Sequence, residues 1–211
     1  MRLFTVLFCS LALALSTVDA AKKGKKSHKS GGEKKKHLVV TKGHKKGKPY
    51  KAQKFKLHTK ARPGHIKSVK FEQNRRITGS ELWGGPNYHA FRNYRPVWHE
   101  RNWWNSRYNR FVFAYGGWYY WNAGWWYPAW GYAPNSYYAY DGPIYAYNDL
   151  PPDQVVANVQ TALQQQGYYR GDVDGLLGPL TRAAIATYQR DHGLYVTSAI
   201  DRPTLEALGM S

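Results

Sequence analysis

Lysine and tryptophan do not mix in this chain, and that separation limits where a folded core can lie. All eighteen Lys fall between Lys22 and Lys70, and all nine Trp between Trp83 and Trp130. Lysine is a strongly hydrated charge on a flexible stem, whereas tryptophan brings a large rigid apolar surface. A segment dense in the first and poor in apolar residues cannot bury enough surface to offset its ordering entropy. Residues 21–76 hold eighteen Lys and three Arg against two Glu, and are therefore expected to form a disordered basic tail. The rest of the chain is nearly balanced: five Arg against three acids over 77–148, and four Arg against seven acids over 149–211. The formal charge of +18 thus belongs to the tail and not to a folded part.

Ahead of the tail, Met1–Ala20 has a positive start at Arg2 and an apolar run from Leu3 to Leu15. Val18 and Ala20 then satisfy the small-residue rule for cleavage, so residues 1–20 read as a signal peptide cut after Ala20. The run is short for a membrane span, and no second one follows, so the mature chain is expected to have no transmembrane segment. The single Cys, Cys9, lies in the signal. Cleavage would leave no thiol, which excludes a disulfide scaffold, a cysteine zinc site and cysteine nucleophiles. An exported product is expected in the periplasm, the cell wall or the extracellular space.

Export also bears on what the tail attracts. A cytosolic polycation would point to nucleic acid. Outside the cytoplasm, anionic envelope polymers or lipid headgroups are the expected partners, and nucleic acid is disfavoured. Five tail histidines (His28, His37, His44, His58 and His65) match no compact ligand spacing and read as solvated.

Residues 77–130 are aromatic and glycine-rich. Aromatic and β-branched residues favour strands, and Gly116-Gly117 and Asn122-Ala123-Gly124 read as hairpin turns. The pattern predicts a small antiparallel β-meander over about 109–115, 118–122 and 125–130. Three roles fit its rings: a mini-core, a sticky assembly surface, or a platform for sugar rings. Residues 131–150, rich in Tyr, Gly, Pro and Asn, read as a low-complexity linker.

From residue 151 the periodicity becomes helical. Val155, Val156, Val159, Ala162 and Leu163 share one face, Pro152 suits a first turn, and Gly167 ends the helix. A second helix opens at Gly178-Pro179, buries Leu177, Thr181, Ala184, Ile185 and Tyr188, and stops at Gly193. A third is capped by Asp201, with Ile200 and Leu205 placed as a hydrophobic staple. The fold class expected is therefore mixed: a small all-α three-helix domain at 151–211, after the aromatic module and the tail.

The string itself is recognisable. Val156, Val159-Gln160, Leu163, Gly167-Tyr168, Gly171, Asp174-Gly175, Gly178 and Thr181 recur at fixed spacing, followed by Ala184-Ile185, Tyr188-Gln189, Gly193-Leu194, Thr197, Asp201, Thr204 and Leu208. This stretch resembles the peptidoglycan-binding-like domain, a three-helix module of bacterial cell-wall proteins. Ser198 stands where that family usually has Gly, and Tyr188 where it usually has Phe. The resemblance implies peptidoglycan as ligand. The motif residues Gly167, Asp174, Gly175, Gly178, Thr181, Tyr188, Gln189, Gly193 and Asp201 read as structural. Candidate contacts are the groups beside the loop: Tyr168, Tyr169, Arg170, Asp172 and Arg182. Arginine is the natural partner of a carboxylate-bearing stem peptide.

Nothing in 77–148 supplies a catalytic block. No His-Glu-x-x-His or Gly-x-Ser-x-Gly motif occurs. Glu81, Glu100 and Asp141 sit in turn-rich sequence that offers no framework for paired carboxylates, and His89, His99 and Glu100 make a poor metal set. No cofactor is expected. The reading is a non-catalytic envelope protein, with a wall hydrolase whose catalytic block goes unrecognised in 77–148 as the alternative.

Overall fold

The computed structural model describes residues 49–210. The signal peptide and the 21–48 part of the tail lie outside them. Two short 3₁₀ turns (Ser80–Leu82 and Pro86–Tyr88) lead into α1 (His89–Asn93) and α2 (Arg101–Asn105). An antiparallel sheet follows in the order β1 (Phe111–Ala114), β2 (Gly117–Asn122), β3 (Trp125–Pro128) and β4 (Ile144–Tyr145). Three helices close the chain: α3 (Pro152–Gln165), α4 (Pro179–Asp191) and α5 (Arg202–Ala207). Among the described residues no helix is long and apolar enough to cross a membrane.

The meander forms close to where the aromatic pattern predicts it, with two corrections at its turns. Ala114 pairs with Gly117, so the first turn is Tyr115-Gly116, not Gly116-Gly117. Both turn residues have positive φ, 55° and 92°, as a two-residue turn matched to strand twist demands. Gly117 is needed in the strand instead, because a Cβ there would run into the Tyr137 carbonyl and the Tyr138 ring. Asn122 pairs with Trp125, which leaves Ala123-Gly124 as a two-residue loop where three residues were expected.

The rings pack mainly on one another, so the module is a core. Trp104, Trp126, Phe91 and Tyr138 are fully buried. Their polar atoms are matched: Trp104 Nε1 donates to the carbonyls of His99 (2.9 Å) and Trp130 (3.0 Å), and Tyr138 Oη to that of Trp118 (2.8 Å). A buried Tyr or Trp needs such a partner, since an unmatched donor costs about 1–3 kcal/mol.

The stretch expected to be a linker, 131–150, is part of this core. Tyr137, Tyr138, Tyr140, Ile144 and Tyr147 are buried, and β4 adds a fourth strand to the sheet. Tyrosine makes this possible, because a ring buries an apolar body while its hydroxyl can reach a backbone carbonyl, as Tyr137 Oη does at Ile66 (2.9 Å) and Tyr138 Oη at Trp118 (2.8 Å). The same segment meets the helices, with Tyr145 N donating to the Ile200 carbonyl (3.0 Å) and Trp126 Nε1 to that of Leu150 (2.9 Å).

Residues 49–76 also depart from expectation. They form no helix or strand, yet they run as an extended strap pinned to the fold. Asn158 and Gln154, four apart on α3, offer side-chain amides in place of a neighbouring strand. Asn158 Oδ1 accepts from Gln53 N (2.8 Å) and its Nδ2 donates to Gln53 O (3.0 Å); Gln154 does the same for Phe55 (2.9 and 3.1 Å). Tyr50 N donates to Gly209 O (2.9 Å), Tyr115 N to Thr59 O (2.6 Å), and Val69 N to Tyr138 O (2.8 Å). Phe55, Leu57 and Thr59 turn inward while Lys54, Lys56, His58 and Lys60 face solvent. The charge thus stays hydrated, and the ordering entropy is offset by the alternate residues. Asn158→Ala removes the central pair of bonds and is expected to cost about 1–3 kcal/mol. Faster tryptic cleavage between Lys51 and Lys60 would show the release, and cleavage at the native rate would refute it.

Candidate functional site: a groove between the strap and the helical domain

Each helix of the C-terminal domain ends in the same closure. Tyr168 N bonds Leu163 O (2.9 Å), Leu194 N bonds Gln189 O (2.8 Å) and Met210 N bonds Leu205 O (2.8 Å), each reaching back five residues. These paired-bond endings satisfy carbonyls that a helix terminus otherwise leaves bare.

Two buried glutamines organise the loops between the helices. Gln160 Nε2 lies within 2.7–3.3 Å of Asp174 Oδ1, Thr181 Oγ1, Tyr169 Oη and Leu176 O, while its Oε1 accepts from Gly175 N (2.9 Å). Gln189 repeats the arrangement. Its Nε2 lies within 2.7–3.3 Å of Thr197 Oγ1, Thr204 Oγ1, Asp201 Oδ2 and Ala199 O, and Oε1 accepts from Ser198 N (2.9 Å). In both loops the residue bonded to Oε1 has positive φ, 73° at Gly175 and 52° at Ser198. The second loop therefore keeps the turn with a serine where glycine is the easier residue. Asp201 caps α5 by accepting from Thr204 N (2.8 Å).

Burial raises the Asp201 and Asp153 carboxyls above their ordinary value of 3.8. A carboxyl raised by folding binds its proton more tightly in the folded state. Its contribution to stability therefore declines as pH climbs from the unfolded value through the raised one. Asp153→Asn is expected to flatten that decline in urea titrations run upward from the ordinary carboxyl value of 3.8. An unchanged slope would remove Asp153 as its source.

Beside the first loop lies a groove of about 460 Å³. Tyr169, Asp172, Pro179 and Leu180 form its domain side, and His65 and Ile66 of the strap form the other. Gly178 leaves the notch that Ile66 fills: a Cβ there would sit 2.6 Å from Ile66 Cδ1. His65 Nε2 stands 3.7 Å from Asp174 Oδ2.

The structure does not bring the five candidate contacts together. Asp172 lines the groove and is exposed, and Arg170 is exposed nearby in sequence. Tyr169 is 5% exposed, with its hydroxyl donating to Asp172 O (2.9 Å), so it holds the loop more than it offers a surface. Tyr168 packs edge-on to Tyr188, ring centroids 5.1 Å apart. Arg182 is engaged with the aromatic module, its guanidinium 5.2 Å over Tyr140 and its Nε donating to Ser198 O (3.3 Å). Sequence reasoning missed Leu180, which is 61% exposed. Its position off the apolar stripe of α4 was the available signal. His65 and Ile66 carried no local signal at all.

No group of three or more His, Cys, Asp or Glu residues that could hold a metal occurs among the described residues. His99 stacks on Trp103 (3.5 Å), His89 contacts Asn93 (2.7 Å), and Asp141 pairs with Arg75.

Residues 152–208 match the family described as "Putative peptidoglycan binding domain". The localization factor PodJL of Caulobacter vibrioides is 49% identical over 51 residues in strain NA1000 / CB15N, and equally so in strain ATCC 19089 / CIP 103742 / CB 15. The match covers 24% of this chain and 5% of that protein. No solved structure gives a significant match.

Proposed function

We propose that this chain is an exported, non-catalytic envelope protein that docks on peptidoglycan through the groove of its C-terminal domain. The family match over 152–208 carries this reading, and the groove supplies a place for it. Leu180 offers an apolar contact and Asp172 a polar one. Lys51, Lys54, Lys56, Lys60, Lys67 and Lys70 all face solvent along the strap, so part of the basic charge is held beside the groove. That charge adds attraction to anionic envelope polymers or headgroups, and two weak attachments on one chain raise the effective affinity.

Cosedimentation of the full chain with purified sacculi tests the reading. Pelleting at low salt is expected, weakening as salt rises because the lysine contribution is screened. Leu180→Asp is expected to weaken the salt-resistant part about tenfold, since it replaces an apolar contact with a charge. A folded chain that stays in the supernatant at low salt would end the proposal. Release of muropeptides from the same sacculi would point instead to the hydrolase alternative.

A further inference from the structure

A second cavity, larger than the groove, lies outside the helical domain. A cleft of about 580 Å³ opens in the aromatic module, between α1, the chain after it, and the β2–β3 hairpin. Its volume falls within the range of small-molecule sites, about 300–1,000 Å³. One wall is a row of tyrosines. Tyr120 and Tyr127, paired directly across β2 and β3, lie 5.2 Å apart at 20°; Tyr94 stands 5.6 Å beyond Tyr127, and Tyr108 4.3 Å beyond Tyr120. The rim is polar and exposed, with His89 and Asn93 on α1 and Asn122 at the end of β2. Arg95 is fixed there by its Nη1 donating to the carbonyls of Arg92 (2.9 Å) and Tyr94 (2.6 Å).

The chemistry of this lining is selective. No carboxylate among the described residues lines the cleft, so they offer a cationic ligand no counter-charge. Burial raises the Tyr120 and Tyr127 hydroxyls, which therefore stay neutral. What remains is an aromatic wall, two side-chain amides, an imidazole and one guanidinium. Aromatic walls suit the C–H faces of a pyranose ring, amides suit its hydroxyl and acetamido groups, and a guanidinium suits a carboxylate substituent.

From this lining we infer a second binding site in the aromatic module, taking N-acetylated amino-sugar residues of a glycan. It shares no lining residue with the helical-domain groove and stands whether or not that groove binds the wall.

The test uses the full chain titrated with N-acetylglucosamine trimer, read by calorimetry and by tryptophan fluorescence, since Trp125 lines the cleft. A glucose trimer serves as the control for ring stacking alone, and a wall-derived disaccharide peptide distinguishes wall glycan from other amino-sugar polymers. Saturable binding of the amino-sugar trimer is expected, with the glucose trimer weaker. Asn93→Ala with Asn122→Ala is expected to weaken it about tenfold by removing two hydrogen-bonding amides. Both positions are exposed, so the fold should persist, and circular dichroism checks it. Asn122→Trp, which narrows the mouth, gives a second route to the same loss. Absence of binding at millimolar trimer, equal affinity for the glucose trimer, or native affinity in both variants would overturn the proposal.

Discussion

Gln189→Leu is expected to destabilise the helical domain by about 3–5 kcal/mol, the largest single-residue effect predicted for it. The substitution keeps the volume roughly constant and removes both ends of the amide. Ser198 N then loses its acceptor, and Thr197, Thr204, Asp201 and the Ala199 carbonyl lose a shared donor. All of these except Ser198 are buried, and Asp201 and Thr204 are fully so, which denies water as a substitute. Losing the acceptor of Ser198 N costs about 1–3 kcal/mol and losing the charge-assisted bond to Asp201 about 1.5–3 kcal/mol, while Asp201 keeps its bonds from Thr197 Oγ1, Thr204 Oγ1 and Thr204 N. Gln160→Leu breaks the equivalent loop, but its partner Asp174 is partly exposed and can turn to solvent. A smaller loss is expected there. Urea unfolding of the two variants makes the comparison, and equal losses, or a loss below about 1 kcal/mol at Gln189, would show that the hub is not what holds the loop.

Trp126→Ala is expected to cost about 3–5 kcal/mol and to unfold the aromatic module and the helices together. Trp126 is fully buried, donates to the Leu150 carbonyl at the entry to α3, and carries the Arg110 guanidinium 5.0 Å over its ring. A cavity of indole size cannot be filled by its rigid neighbours. The cooperative part follows from the seam. The Tyr115 hydroxyl donates to the Asp174 carbonyl, and Tyr145 N bonds Ile200 O. Helical ellipticity and tryptophan emission should therefore fall in one transition. Two separated transitions would show that the domain at 151–211 stands alone, as its sequence suggests it could.

That contrast marks what was legible. The ends of α3, α4 and α5 could be read because their determinants are neighbours in sequence: Pro152, Pro179 and Asp201 at the starts, Gly167 and Gly193 at the stops. The meander was legible for the same reason, apart from a one-residue shift at its first turn, where Tyr137 and Tyr138, about twenty residues downstream, crowd Gly117. The strap was hidden because its partners are about a hundred residues away, at Gln154 and Asn158. Its lysines dominated the composition and masked the alternation of Lys54, Phe55, Lys56, Leu57, His58 and Thr59. The site suffered most. Arg182 and Tyr169 have the chemistry of wall contacts, yet Tyr140, far off in sequence, engages the first, and Gln160 and Asp172 hold the hydroxyl of the second.

The strap also decides how the protein would yield to force. It starts at Tyr50, whose amide is tied to Gly209 beside the final helix. A pull on the residues before it, against a domain fixed to the wall, loads the bonds at Tyr50, Gln53, Phe55 and Thr59 one after another. Bonds met in series peel at low load, unlike a sheet sheared along its length. Freed as far as Lys70, the strap would span at most about 70 Å at roughly 3.4 Å per residue, and the tether would lengthen by that less the distance the strap already covers. The aromatic core would feel the load at Phe71, whose ring packs on Trp98 (5.4 Å) and Trp130 (5.3 Å). The pinned strap thus gives the chain a reserve of slack, released before the strands of the sheet part.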